Sequence, residues 1–274
     1  MLTAPTILIF DSGLGGLTVL REVTRARPDA RFIYVADDAF FPYGGIAEER
    51  LVERVVTLMS DLIAEHAPDL VVIACNTAST LVLPALRQHF AVPFVGTVPA
   101  IKPACAGSAS KRVSVLGTEA TVAREYTRAL VRQFAAGCKV KLVGSARLAT
   151  FAEAELTGEP AADAAISAEI APCFAADDGA RTDTIVLACT HYPLLSDRFA
   201  RLAPWPVRWI DPAPAIARRV VELIGPACAS DGISASAVFT SGRPPAAGFA
   251  SALKMCGIDG FAGASEFRDA PQLP

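Results

Sequence analysis

Two peptides of similar pattern each end a β-branched apolar run in a cysteine. They are 71–77, VVIACNT, and 185–191, IVLACTH. An apolar run of this kind is typical of a strand buried in a parallel sheet, and a helix-like segment follows each cysteine. The carboxyl ends of such strands are where α/β proteins bind ligands, and helix amides there favour a thiolate. Cys75 and Cys189 therefore predict two thiols that face each other across one small anionic substrate.

The elements that position these cysteines follow from hydrophobic periodicity. Strands are predicted at 6–10, 32–36, 70–74, 112–117, 139–144, 184–188 and 207–210, and helices at 47–66, 121–135 and 161–176. Alternating strands and helices predict α/β architecture with parallel sheets and right-handed crossovers. We expect two similar parallel-sheet α/β domains with the active site in the cleft between them. The expected bounds are 1–98 plus 211–262 for the first domain and 99–210 for the second, with a frayed tail at 263–274.

Composition excludes several classes of protein. The chain has 274 residues, 52% hydrophobic and 19% charged, with a formal net charge of −3. No basic run favours nucleic acid as a partner, and no apolar stretch is long enough for a membrane span or a signal peptide. The seven cysteines have irregular spacing, which does not suit a disulfide framework and indicates reduced thiols in the cytoplasm.

Further motifs each allow more than one interpretation. The loop 11–16, DSGLGG, could bring its backbone close to an anion or could be a plain turn between strand and helix. The segment 41–45, FPYGG, could place Tyr43 in the cleft or form a surface turn. His191 could transfer protons, pack in the core, or bind zinc with the two cysteines and Asp11, although the usual zinc-ligand spacings are absent. Glu153 lies in a helix-like segment, where a solvated face is the ordinary interpretation.

These pieces, in this order, closely resemble the glutamate racemases of the cofactor-independent aspartate/glutamate racemase superfamily. The resemblance spans nearly the whole chain, and the pair CNTAS and CTHYP is its most specific part. The histidine of the second motif is typical of glutamate rather than aspartate racemases. The matching segments are 10–16 (FDSGLGG), 36–44 (ADDAFFPYG), 72–79 (VIACNTAS), 95–103 (VGTVPAIKP), 115–122 (VLGTEATV), 186–194 (VLACTHYPL) and 209–212 (WIDP).

The resemblance implies a role for each matching residue. Cys75 would take the α-proton of D-glutamate with help from Asp11, and Cys189 that of L-glutamate with help from His191 and Glu153. The Glu153 assignment rests on aligning 148–153, LATFAE, with a more apolar segment of the family. The substrate contacts implied are Ser12, Pro42, Tyr43, Gly44, Asn76, Thr77, Thr118, Thr121 and Thr190. The sequence departs from the family pattern at Ala188, usually glycine, and at 119–120, Glu-Ala in place of a more common Pro-Gly.

Racemisation without a cofactor explains why such residues are needed. A proton must leave one face of Cα and return to the other, which two opposed thiols can do without moving around the substrate. Since no pyridoxal lysine motif is evident, threonine hydroxyls and helix amides must stabilise the developing carbanion. We therefore expect glutamate as the substrate, no cofactor and no metal, no nucleic-acid or membrane partner, a homodimer, and a product used in peptidoglycan synthesis. The alternatives are a racemase of a related acid such as aspartate, or a two-lobed protein that only binds a small acid.

Overall fold

The computed structural model of the chain describes residues 4–177, 179–228, 234–243, 248, 251–252 and 264–266. Its strands are β1 (Thr6–Asp11), β2 (Arg31–Ala36), β3 (Leu70–Ile73), β4 (Phe94–Gly96), β5 (Arg112–Thr118), β6 (Lys139–Ser145), β7 (Ala176–Asp177), β8 (Ala180–Arg181), β9 (Thr184–Ala188), β10 (Arg208–Ile210), β11 (Ser234–Phe239) and β12 (Ala264–Glu266). Its helices are α1 (Leu17–Ala26), α2 (Glu48–His66), α3 (Asn76–His89), α4 (Ile101–Gly107), α5 (Glu119–Ala123), α6 (Glu125–Phe134), α7 (Leu148–Thr157), α8 (Asp163–Ile170), α9 (Ser196–Leu202) and α10 (Ala213–Ile224).

The strands form two parallel sheets, which confirms the predicted α/β architecture. The first sheet has the order β12-β11-β2-β1-β3-β4, and the second has the order β10-β9-β5-β6. β7 and β8 form a separate antiparallel pair. The seven strands predicted from the sequence are all present, and their ends differ from the prediction by no more than one residue.

Helices cover both faces of the first sheet because side chains of β1 alternate between two cores. Ile7 and Ile9 pack with α1 and α10, whereas Leu8 and Phe10 pack with α2 and α3. The second sheet is covered in the same way, with α7, α8 and α9 on one face and α4 and α6 on the other. Strands buried on both faces read as continuous apolar runs, which is why the sequence revealed them.

Several elements differ from the sequence-based expectation. The helix expected at 121–135 is two helices, because Arg124 has extended backbone (φ −68°, ψ 142°) between α5 and α6. The helix expected at 161–176 begins at Asp163 and ends at Ile170, and a single 3-10 turn follows it. The sequence did not reveal β4, β11 or β12. β4 has only three residues, and β11, SASAVF, consists largely of small residues with weak strand preference.

The sheet on which each helix packs indicates where the chain passes from one domain to the other. α10 packs beside α1 of the first sheet, and α4 packs on β5 and β9 of the second. We therefore propose domain crossovers close to residues 98 and 211. The frayed tail expected from residue 263 differs from the structure at Ala264–Glu266, which pair with β11 as the edge strand β12. The rest of that tail lies outside the described residues.

Parallel pairing brings the carboxyl ends of neighbouring strands to one edge of each sheet. β1 pairs with β3, so Asp11 at the end of β1 lies beside the segment that leads from β3 into α3. β5 pairs with β9, so Thr118 lies beside the segment that follows Ala188. Each predicted cysteine therefore occupies a sheet edge that already carries a second polar residue.

Within the described part of the chain, no helix combines the length and the apolar composition that a membrane span requires.

Candidate active site

Cys75 lies at the N-terminus of α3, buried next to the loop that follows β1. Only 5% of the residue is exposed, and its Sγ lies 3.8 Å from the Ser12 hydroxyl. Burial raises the pKa of the Cys75 thiol to about 12, and the negative charges of Asp11 and Cys189 act in the same direction. At neutral pH this group is therefore a thiol, with a proton to give.

Asp11 ends β1 and is completely buried. Its Oδ1 accepts hydrogen bonds from the Ser12 hydroxyl and the Gly13 N–H, each at 3.2 Å. Burial raises the pKa of Asp11, and the charge of His191 and the hydrogen bond from Thr190 offset only part of that effect. A carboxyl group with a raised pKa beside Cys75 is suited to exchange a proton with it.

Cys189 follows β9 and belongs to a chain of three side chains. Its Sγ lies 3.8 Å from Nδ1 of His191, and Nε2 of His191 lies 2.7 Å from Oε1 of Glu153 on α7. Burial lowers the pKa of His191, but the hydrogen bonds with Cys189 and Glu153 oppose it and hold the pKa well above its ordinary value. An imidazole held between a thiol and a carboxylate is placed to pass a proton to or from the sulfur.

Three threonine hydroxyls form a cluster that joins the two sheets. Thr77 is in the first turn of α3, whereas Thr118 ends β5 and Thr121 lies in α5. Their Oγ1 atoms are 3.1 Å (Thr77–Thr118), 3.2 Å (Thr77–Thr121) and 2.9 Å (Thr118–Thr121) apart. This hydroxyl triad can present donors to an anion, because hydroxyl hydrogens can rotate toward a ligand.

Asn76 and Thr190 complete the polar lining that the sequence predicted. Asn76 is 1% exposed, and neither its Nδ2 nor its Oδ1 has a hydrogen-bond partner among the described residues. A buried amide without partners is rare in proteins and indicates that a ligand or water completes its bonding. Thr190 is buried beside Asp11, and its carbonyl accepts a hydrogen bond from Thr18 at 3.1 Å.

The segment with Pro42, Tyr43 and Gly44 directs its tyrosine into the protein interior rather than to the surface. The Tyr43 hydroxyl donates to Oδ2 of Asp37 at 2.6 Å. Pro42 is exposed, and Gly44 is half-buried close to Thr118. The Tyr43 oxygen can still accept a hydrogen bond, so a substrate contact by this segment stays a prediction.

Sequence reasoning missed residues that support the site. Asp37 is buried and also accepts hydrogen bonds from Arg54 and Thr240. Asp37 directly follows β2, which pairs with β1, and this position at the same sheet edge as Asp11 was the sequence signal that could have identified it. Phe41 packs on the ring of His191, with a centroid distance of 5.3 Å. No local pattern could have shown this contact.

The departures from the family pattern are accommodated locally. Ala188 pairs with Gly117 on the neighbouring strand, so the extra methyl group faces a residue without a side chain. Glu119 begins α5, where a negative side chain interacts favourably with the helix dipole. Among the described residues, no group of three or more His, Cys, Asp or Glu has an arrangement that could hold a metal ion.

The geometry agrees with what comparison to known proteins shows. The model of the Asp/Glu/Hydantoin racemase family matches residues 12–220. The chain belongs to this family. It is 58% identical to the glutamate racemase of Brucella anthropi and 56% identical to that of Sinorhizobium medicae. Each match covers 87% of this chain, and 87% and 89% of those proteins respectively.

Solved structures of glutamate racemases share the fold of this racemase. The Escherichia coli glutamate racemase, in complex with L-glutamate and the activator UDP-MurNAc-ala, is 39% identical with a TM-score of 0.84, over 94% of this chain and 97% of that one. The Thermus thermophilus glutamate racemase, in complex with beta-chloro-D-alanine, is 26% identical with a TM-score of 0.72, over 98% of both chains. The resemblance inferred from the motifs is thus confirmed. The chain is an amino-acid racemase, and so an isomerase.

Proposed function

We propose that the chain interconverts L- and D-glutamate by a two-base proton transfer without a cofactor, with Cys75 and Cys189 as the bases. One observation carries the proposal: the two cysteines end strands of different sheets, and each has its own group for handling protons. Asp11 lies beside Cys75, and His191 with Glu153 lies beside Cys189. The names of the relatives and the L-glutamate bound to the Escherichia coli protein support glutamate as the substrate.

The electrostatics suggest how the protons move. In the L-to-D direction the Cys189 thiolate takes the α-proton, and the Cys75 thiol donates its own proton to the opposite face of Cα. Each transfer breaks one bond to hydrogen and forms another, so the two sulfurs exchange roles. The pKa of Cys75, about 12, supports its role as the donor. In the D-to-L direction Cys75 must first lose its proton, for which the adjacent Asp11 is the acceptor.

The carbanion formed between these steps needs stabilisation. We assign the substrate carboxylates to the hydroxyl triad and to the unpartnered amide of Asn76, whose donors are fixed by the fold before substrate binds. Preorganised donors of this kind stabilise developing negative charge more effectively than water does. Ser12, Thr190 and the backbone of residues 42–44 complete the proposed lining.

The wider role follows from the product. D-glutamate is expected to supply peptidoglycan synthesis, in the cytoplasm, from an enzyme that acts as a homodimer. The irregular spacing of the seven cysteines supports a reducing compartment.

Isotope exchange tests the two-base assignment. L-glutamate is incubated with the protein in D₂O and sampled early, and both enantiomers are separated and analysed by mass spectrometry. New D-glutamate should carry deuterium at Cα, because Cys75 delivers a solvent-derived deuteron, while the remaining L-glutamate stays protiated. The reaction started from D-glutamate should give the mirror result. Early deuterium in the recovered substrate at the level of the product would contradict the opposed roles, and no racemisation at all would contradict the function.

A further inference from the structure

The loop that follows β1 contains glycines that lie directly against side chains of the proposed proton relays. A Cβ atom built on Gly15 would lie 2.4 Å from Nδ1 and 2.6 Å from Cγ of His191. A Cβ built on Gly16 would lie 2.7 Å from Cβ and 2.9 Å from Oδ2 of Asp11. Distances this short do not occur between non-bonded carbons and their neighbours, so these positions exclude any side chain. The loop therefore brings its backbone close to protein side chains at these two positions.

Neither neighbour can move away easily. His191 is 2% exposed, its ring packs on Phe41, and its Nε2 lies 2.7 Å from Glu153. Asp11 is the last residue of a central strand, and its Oδ1 is held by two hydrogen bonds. The close atoms belong to the ring and to the base of a side chain, not to the end of a flexible one. Tightly packed interiors respond to such an insertion by displacing the side chains.

The same loop also contacts the relay of the other sheet. The Leu14 N–H donates to Oε1 of Glu153 at 2.6 Å, and the Gly15 nitrogen lies 3.2 Å from Nε2 of His191. Leu14 and Glu153 are 139 residues apart in the sequence, and Gly15 and His191 are 176 residues apart. The first sheet thus supplies the surface against which the relay of Cys189 is oriented.

We propose that Gly15 and Gly16 are positioning residues, each for a different base: Gly15 orients His191 for Cys189, and Gly16 orients Asp11 for Cys75. This inference rests on the proposed two-base function. Adjacent residues of one loop then set the geometry of proton transfer on opposite faces of the substrate. A substitution at one of them should impair transfer at one sulfur and leave the other intact.

Kinetic isotope effects separate the two sulfurs. For each variant, kcat/KM is measured with L- and D-glutamate carrying either protium or deuterium at Cα. In Gly15→Ala, transfer between Cα and Cys189 becomes more rate-limiting, so the isotope effect should rise for L-glutamate and fall for D-glutamate. Gly16→Ala should show the opposite asymmetry. Each substitution should lower kcat/KM about 10²-fold, the usual effect of displacing a catalytic group by about an ångström.

The matched control is Gly45→Ala, because among the described residues, apart from the two chain neighbours, no atom lies within 4 Å of a Cβ at this position. It should keep the kcat/KM and the isotope effects of the parent enzyme. Equal isotope effects for both enantiomers in Gly15→Ala and Gly16→Ala would overturn the inference. The proposed function would still stand if the parent enzyme racemises glutamate with the expected deuterium pattern, and would fail if it does not.

A double variant keeps the test decisive if Gly15→Ala folds poorly. In His191→Ala the ring that the new methyl group would meet is absent, so adding Gly15→Ala should change neither the melting temperature nor kcat/KM any further. Gly15→Ala alone should lower both. If the double variant is as unstable as Gly15→Ala, the methyl group meets something other than His191 and the inference is wrong.

Discussion

Replacing Arg124 with methionine should weaken glutamate binding more than turnover. Arg124 lies between α5 and α6 and is 8% exposed. Its Nη1 donates to the Thr77 carbonyl and, at 2.7 Å, to the Thr80 hydroxyl, both on α3. Its Nε donates to Glu48 at 3.0 Å. The guanidinium group thus connects the first sheet to the second immediately behind the hydroxyl triad.

The size of the effect follows from these contacts. Methionine keeps most of the apolar volume but removes a buried charged donor, and a hydrogen bond of that kind contributes about 1.5–3 kcal/mol. The Glu48 carboxylate is 57% exposed, so its pairing adds little. We expect the free energy of unfolding to fall by about 1.5–3 kcal/mol. Because the proposed triad would hold the substrate carboxylate in the ground state as well as in the transition state, KM should rise about 10- to 100-fold, with a smaller fall in kcat.

Urea denaturation and steady-state racemisation, followed by circular dichroism of glutamate, measure both quantities. The control is Arg132→Met on α6, where the arginine is 62% exposed and pairs with Glu125, itself 72% exposed. That substitution should change stability by less than about 1 kcal/mol and leave KM unaltered. If Arg124→Met kept the parent KM, or if both variants lost the same stability, Arg124 would not hold the triad in place.

Two further predictions concern the cysteines and acid stability. Cys75→Ala and Cys189→Ala should each lower kcat at least about 10²–10⁴-fold, whereas Cys138→Ala, at the opposite end of the second sheet, should keep the parent kcat in the same racemisation assay. Burial would raise the pKa of Asp183, but hydrogen bonds from Ser110 and other donors lower it to about 2 from 3.8. The unfolded state, in which the pKa is higher, binds the proton first, so the stability that Asp183 adds above about pH 4 is lost as the pH falls towards 2. Over that pH range the free energy of unfolding, measured by urea denaturation, should fall less in Asp183→Asn than in the parent protein.

The sequence by itself determined most of the strands and the sheet edges at which the two candidate catalytic cysteines lie. Apolar runs such as 71–74 and 185–188 are local patterns, because strands buried on both faces consist almost entirely of apolar residues. The residues that follow them, Cys75 and Cys189, therefore had to lie at the carboxyl edges of the sheets. The family motifs added the expected partners, and the structure has Asp11 near Cys75, His191 near Cys189, and Glu153 against His191.

Only the tertiary structure decided how the two sheets complete each other. The local pattern at Glu153 indicated only a solvated helix face, and the family resemblance alone suggested a role; the structure shows its contacts with His191 and the Leu14 N–H. The break at Arg124 was not predicted, because local helix preference does not include hydrogen bonds that the guanidinium makes to another helix. The loop glycines were ambiguous for the same reason: a missing side chain in the sequence does not show whether a turn, an anion or another residue needs the space. Contacts between residues more than a hundred positions apart depend on how the sheets dock, and no local pattern encodes that geometry.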